Sequence, residues 1–359
     1  MKTPSGPSPT RRGVTAAIAA GSVGSVVASD MIRAVAASPL KTPRPLKASS
    51  DILRFDLRLD VTAATPPAVG GGEPQWLGAR LVAPRDLPQG PIPVLICVHG
   101  GGYDKRYYDM QIPGRFGYSM AEHFARRGSV VVALDYLGIG GSSRPQNPLL
   151  MDRHVFADVQ HAAALQIFAR ARKGELAPQL APIRDLRRVG VAHSMGVMLT
   201  VTQQVEHATY DQLVLLGYSV RGVRLTRATP SAPPQVTEPG YESVRRISLR
   251  PEYYLSDVPA DVIAADEAAG AAAPTIISRE ATAGVPSPDA ARLSTPLFFG
   301  LGERDISPDP HDEPGMFALC NDLTFLIVAG AAHSLNLAAT RHKLWDRLLA
   351  WLPTVPVYS

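Results

Sequence analysis

The chain has 359 residues, of which 45% are hydrophobic and 19% charged, enough apolar material for a large core. Its 30 glycines and 33 prolines stay below the ~25–30% that marks a low-complexity chain. Thirty-six basic against thirty-two acidic residues leave a formal charge of +4, with no Lys/Arg run longer than two, so the electrostatic footprint of a nucleic-acid binder is missing.

Residues 1–50 differ from the rest. Arg11-Arg12-Gly13-Val14 leads into a weakly apolar stretch, 16–28, and then into the small residues Ala34-Val35-Ala36-Ala37. A charged start, an apolar middle and a small-residue end describe an export signal, with paired arginines of the twin-arginine type. Val14 and the missing lysine depart from that pattern, and an Ala/Gly/Ser-rich tail is the competing reading. Export would start the mature chain near Ala37 and make 38–49 a linker. The stretch is too short and too rich in Gly and Ser for a membrane span, which needs ~20 apolar residues.

The body alternates strand and helix signals. Residues 52–61 alternate apolar and polar, as a half-exposed strand does, and 76–82 reads as its hairpin partner after the turn Gly70-Gly71-Gly72. Continuous apolar runs follow at 93–98, 129–134, 188–192, 212–216, 296–300 and 323–328, the pattern of parallel strands buried on both faces. Helical patterns lie between them. One spans 120–127 and stops at Gly128. Another spans 152–173, with Val155, Val159, Ala162, Leu165, Ile167 and Phe168 as its apolar stripe and Gly174 after it. Two more cover 195–206 and 336–352. Such alternation predicts an α/β fold with a doubly wound, mostly parallel sheet. Segment 221–294 breaks the rhythm, with many prolines and no clean strand. An unstructured loop of that length is improbable inside a compact domain, so it reads as an inserted cap or lid with short helices, one over 259–268. The core is then split into 51–220 and 295–359. Of the two cysteines, Cys97 sits inside an apolar run and reads as a buried hydrophobe. Cys320 offers it no disulfide framework or metal spacing.

Four segments carry chemistry. In Val191-Ala192-His193-Ser194-Met195-Gly196, a buried strand meets a helix, so Ser194 falls on a tight turn whose neighbours two positions away must be small. Ala192 stands where the usual motif has glycine, and alanine still fits. The plain alternative is a helix N-cap serine. After the 93–98 run comes His99-Gly100-Gly101-Gly102, where glycines let backbone N–H groups approach a developing oxyanion. Gly101 or Gly102, together with Met195, are the candidate donors. A serine needs a base. Of the nine histidines, His333 follows the last buried run at the same sheet edge as Ser194. His193 would point away from its neighbour, and His311 is the fallback. The base needs a carboxylate. Asp305, a few residues beyond the 296–300 run, is preferred over Glu303, Asp309, Asp312 and Asp135.

From Ile52 to Leu352 the chain resembles the α/β-hydrolase superfamily, esterase- or lipase-like. The resemblance rests on the His-Gly-Gly-Gly segment, the Asp135-Tyr136-Leu137-Gly138-Ile139-Gly140-Gly141-Ser142 turn, the serine elbow and the order Ser194, Asp305, His333. It implies an eight-stranded sheet with a cap inserted after the sixth strand, where 221–294 falls. With the residues it implies an acyl-enzyme mechanism on a small ester-like substrate, a carboxylic ester or lactone, requiring no metal or organic cofactor. An acyltransferase or a carbon–carbon bond hydrolase on the same residues, and a non-catalytic binding protein on this scaffold, are the alternatives. Tyr103, Tyr107, Tyr108 and Tyr118 either line a pocket or pack the loop.

Overall fold

The structure, a computed structural model, describes residues 51–222, 235–243, 252–280, 287 and 289–356. The expected export signal and linker lie outside the described residues, as do parts of the expected insert.

The first half of the chain forms β1 (Ile52–Asp60), α1 (Pro67–Gly70), β2 (Trp76–Pro84), β3 (Ile92–Val98), α2 (Met120–Ala125) and β4 (Val130–Leu134). Then come α3 (Arg153–Lys173), β5 (Leu186–His193), α4 (Met195–His207) and β6 (Gln212–Leu216). The chain next leaves the main sheet for β7 (Gln235–Glu238), β8 (Tyr241–Ser243), α5 (Ala260–Ala268), β9 (Ala273–Pro274) and α6 (Thr275–Glu280). It returns through β10 (Leu297–Arg304), β11 (Leu323–Ala332) and α7 (Arg341–Trp351).

Eight strands form one sheet in the order β1-β2-β4-β3-β5-β6-β10-β11. The β1–β2 hairpin and the β2–β4 pair are antiparallel, and every other neighbour is parallel. The expected mostly parallel, eight-stranded sheet is therefore present. Successive side chains of a strand face opposite ways, and both faces here are covered. Val94, Ile96 and Val98 enter one core with Val155, Ile167 and Phe168 of α3 and Leu199 of α4. Leu95 and Cys97 enter another with Phe124 of α2 and Leu344 and Trp345 of α7. Two-sided burial explains why β3 reads as an unbroken apolar run.

Three sequence expectations need correction. Leu165, assigned to the inward stripe of α3, is 48% exposed. It lies roughly 160° around the helix from buried Ile167, so Ala163 and Ala164 take the inward places. The last helix is shorter than expected. Leu335–Leu337 forms a separate tight turn, Ala338 is extended with ψ 150°, and the Asn336 side chain accepts a hydrogen bond from Trp345 Nε1 at 2.9 Å. Finally, the segment between β6 and β10 does contain strands, since β7, β8 and β9 make a small antiparallel sheet. They are four, three and two residues long, too short for alternation to be legible. The helix expected there is α5, entered from Pro259.

Among the described residues no helix is long and apolar enough to cross a membrane. Cys97 and Cys320 are free thiols.

Helix α3 starts where Asp152 accepts hydrogen bonds from the backbone N–H groups of His154 and Val155, and ends at Gly174 with φ 75°. N-cap loss typically costs about 1 kcal/mol. Asp152→Ala is expected to lower the urea midpoint by that equivalent with the denaturant slope unchanged. An unchanged midpoint would show the cap contributes nothing.

Candidate active site

The direction of winding reverses between β3 and β5, since the chain passes from β3 outward to β4 and then back across to β5. In such sheets the crevice outside the carboxyl ends of the strands at the reversal is where ligands bind. Val98 pairs with Ala192 across these two strands. The segments 99–102 and 193–194 therefore leave the sheet side by side.

Ser194 has φ 54° and ψ −127°. Among described non-glycine residues only it and Ala208 have positive φ. Such a conformation costs on the order of 1–3 kcal/mol and persists only where the surroundings impose it. Here the Ser194 N–H donates to Leu216 O at 2.8 Å, and its carbonyl accepts from Val197 N at 2.8 Å. The turn leaves no room beside it. A Cβ on Gly196 would stand 2.5 Å from His99 O and 2.6 Å from Val98 O, and one on Gly100 would stand 2.8 Å from Ser194 Cβ. Ala192 is fully buried in the core shared with α4, so its methyl group is accommodated.

The partners arrive by register. Arg304 of β10 pairs with Ala332 of β11 after a local irregularity, so Asp305 and His333 leave neighbouring strands together. His333 Nδ1–H donates to Asp305 Oδ1 at 2.7 Å, and His333 Nε2 lies 2.9 Å from Ser194 Oγ. Asp305 also accepts from Gly302 N at 2.9 Å and Ile306 N at 2.8 Å. Burial opposes ionisation of Asp305. The His333 ring and these two amides outweigh it and hold the carboxyl below the ordinary value.

His333 reaches Ser194 by crossing the ends of β10 and β6, and two residues not singled out in the sequence make room for it or hold it. Gly217 has φ 62°, and a Cβ there would stand 2.9 Å from His193 Nε2 and 3.5 Å from His333 Nδ1. Its only sequence signal is a glycine ending an apolar run. Glu313 is fully buried, accepting from Ser219 Oγ and Ser307 Oγ at 2.5 Å each and from Val220 N at 2.9 Å. It thereby ties the loop after β6 to the loop after Asp305.

His193 does point away from Ser194. Its Nε2–H donates to the His333 carbonyl at 2.8 Å, and its ring stacks on Tyr107 with centroids 4.6 Å apart. Burial first, then the neighbouring His333, lowers its pKa to about 3. The other candidates are engaged elsewhere. Glu303 accepts from Gly330 N at 2.9 Å, and Asp312 pairs with Arg221 at 2.6 Å. His311 is exposed. Asp135 accepts from Lys105 Nζ and Gly141 N, each at 2.7 Å, as a structural tie would.

Near Ser194 the candidate oxyanion donors crowd together, because a Cβ on Gly101 would meet Met195 Sδ at 2.4 Å. Met195 opens α4, so its N–H has no acceptor within the helix. Gly102 has φ 71°, and its carbonyl accepts from Ala271 N at 3.0 Å. Tyr103, Tyr107 and Tyr108 are each at most 1% exposed and pack the loop. Tyr118 lies under Arg341, 3.7 Å from its ring.

Among the described residues one group, Asp158, Glu206 and His207, places possible metal-ligand atoms within 4.8 Å of one another. It sits at the far end of α4 from Ser194. His207 Nε2 already bonds Asp158 at 2.8 Å, and His154 Nδ1 bonds Glu206 at 2.5 Å, which accounts for the grouping.

A family model described as "Alpha/beta hydrolase family" matches residues 95–344, an interval holding every residue of this site. No curated protein matches the sequence. Similar solved structures include a thermophilic esterase from Thermogutta terrifontis, at 16% identity and TM-score 0.56, covering 83% of this chain and 99% of that one. The enol-lactonase from Burkholderia xenovorans LB400 is similar at 16% identity and TM-score 0.54, covering 80% and 98%. A bromoperoxidase from Bacillus anthracis is similar at 17% identity and TM-score 0.54, covering 83% and 100%.

Two outcomes follow from this packing. Gly196→Val puts a branched side chain against two carbonyl oxygens and is expected to abolish soluble, folded protein or displace Ser194; a fully stable, unaltered variant would contradict the crowding. The second concerns acid. An unfolded chain takes up a proton on His193 as pH falls below about 6.5, whereas the folded chain does not until about 3. Stability from this residue is full above about 6.5 and declines below it, by at most about 1.4 kcal/mol per pH unit. His193→Gln is expected to show a shallower loss of stability between pH 6.5 and 5 than the native chain. Parallel curves would mean His193 is not held neutral.

Proposed function

The chain belongs to the alpha/beta hydrolase family, and on that footing we propose that it is a serine hydrolase cleaving a carboxylic ester or lactone through an acyl-enzyme on Ser194. One observation carries the reading. Ser194 Oγ, His333 and Asp305 form a continuous line of hydrogen bonds at 2.9 and 2.7 Å, on a serine held at φ 54°. An ester or lactone also suits the names of two similar structures, an esterase and an enol-lactonase.

In this reading each residue has a defined task. Asp305, kept ionised by its lowered pKa, accepts from Nδ1–H and so leaves the Nε2 lone pair facing Ser194 Oγ. His333 takes the serine proton as Oγ attacks the carbonyl carbon. The oxygen that gains charge meets the N–H of Met195 and of Gly101 or Gly102, each such donor being worth ~10²–10³ in rate. His333 then gives its proton to the leaving alcohol, and the carbonyl re-forms as the acyl-enzyme. Water, deprotonated by the same imidazole, attacks the acyl carbon and releases the acid with Ser194 restored. Segment 221–294 is read as the cap that shapes the substrate pocket.

Ser194→Ala and His333→Ala are expected to lower kcat on a p-nitrophenyl ester that the native enzyme accepts, on the order of 10³–10⁶-fold. A fluorophosphonate probe should label the native chain and not Ser194→Ala. Equal labelling of the two would remove Ser194 as nucleophile. Asp305→Asn is expected to cost on the order of 10²–10⁴-fold; near-native turnover would move the carboxylate role to Glu303 or another acid. Free acid as the main product in the presence of an acceptor alcohol separates hydrolysis from acyl transfer.

A further inference from the structure

We propose that Asp266, on α5, is a positioning residue for the reaction: its buried carboxylate holds Tyr103 and, through Tyr103, Ser334, fixing the oxyanion loop and the histidine loop against one another. The inference rests on the serine-hydrolase reading above.

Asp266 is fully buried, an expensive place for a carboxylate unless it is hydrogen-bonded. Its Oδ2 accepts from Tyr254 OH at 2.5 Å and from Tyr103 OH at 3.2 Å. Tyr103 OH also lies 3.3 Å from Ser334 Oγ. The Tyr103 hydroxyl donates to Asp266 Oδ2, so its proton is directed at Asp266. The Tyr103 oxygen is thereby left to accept from Ser334. The run of donors therefore has one direction: Ser334 to Tyr103 to Asp266.

The positions of those two partners matter. Tyr103 directly follows Gly102, and Ser334 directly follows His333. Each reports on one loop of the site, and the acceptor that unites them comes from neither. Backbone bonds from the same segment run alongside. Ala271 N donates to Gly102 O at 3.0 Å, His333 N to Glu252 O at 2.9 Å and Ser334 N to Tyr253 O at 3.0 Å. The Tyr253 ring meets the His333 ring edgewise at 4.7 Å.

Docking of α5 also has an apolar part. Val262 and Ile263 already anchor the helix in an apolar cluster with Met110, Tyr254, Val258 and Leu337. The carboxylate contributes direction instead. Without it, Tyr103 loses the acceptor that aims its hydroxyl at α5, and the tie between the 99–102 segment and the His333 loop loosens. A misplacement of about 1 Å at a reacting group costs on the order of 10²-fold.

The test compares Asp266→Leu, Asp266→Asn and Tyr103→Phe on a small p-nitrophenyl ester, with circular dichroism and thermal unfolding run on each. Asp266→Leu is expected to lower kcat about 10–100-fold with KM within about threefold. Asp266→Asn, which keeps an acceptor, should restore most of that loss. Tyr103→Phe should reproduce the loss, and adding it to Asp266→Leu should cost little more, because both break one connected run. Should Asp266→Leu fail to fold, Tyr103→Phe decides alone. A folded Asp266→Leu or Tyr103→Phe with kcat within twofold of native, or losses that simply multiply, would overturn the proposal. Ser194→Ala is assayed alongside. If it keeps turnover, the serine reading itself fails; if it is inactive while the Asp266 and Tyr103 variants stay native-like, only this inference fails.

Discussion

The site depends on one backbone torsion. Ser194 stands clear of the sheet because its φ is 54°, a conformation that a serine adopts only under constraint. The constraint is close packing without side chains. Gly196 lies against the carbonyls of Val98 and His99, and Gly100 lies against Ser194 Cβ. The strand β3 therefore sets both the 99–102 segment and the serine turn. The apolar core on each face of the sheet supplies the rigidity that holds the torsion.

The second constraint is distance across the sheet. Two strands, β6 and β10, separate β5 from β11. With strands ~4.8 Å apart, the His333 loop must lean back over more than one strand to reach Ser194. Gly217 leaves the space for that return, and the His193 ring holds the His333 carbonyl from beneath. A neutral His193 suits the place.

Burial makes these polar contacts consequential. Ser194 is 6% exposed and His333 1%. In such surroundings an unpaired polar group is costly, and a paired one is held firmly. Asp305 has a ring nitrogen and two amides. Glu313 has two hydroxyls and backbone N–H groups, and Asp266 has two phenols. All three buried carboxylates tie loops at the carboxyl edge of the sheet, where backbone pairing has ended.

Much of this was legible in the chain, for a physical reason. Strands buried on both faces must be continuously apolar, so β3 to β6, β10 and β11 announce themselves. Tight turns at their ends demand Gly, Ala and Ser, which marks 99–102 and 192–196. His333 is the first polar side chain past the last buried run, whereas Asp305 had to be chosen over the nearer Glu303. Helix limits were less legible at α7, where the Asn336–Trp345 bond interrupts the pattern, and at Leu165, which faces outward from an apolar-looking stripe. The strands β7 to β9 are too short to carry a period.

The sequence by itself determined the strands, the helices between them and the chemistry-bearing residue types, because local periodicity and turn sterics encode them. Tertiary structure alone decided which carboxylate meets which ring. Glu303 and Asp305 are two residues apart in one short stretch, and only the β10–β11 register turns Asp305 toward His333 and Glu303 toward Gly330. It alone also brought Asp266 beside Tyr103, 163 positions away in the chain. Contacts of that separation leave no trace in local pattern, since they arise when distant elements pack.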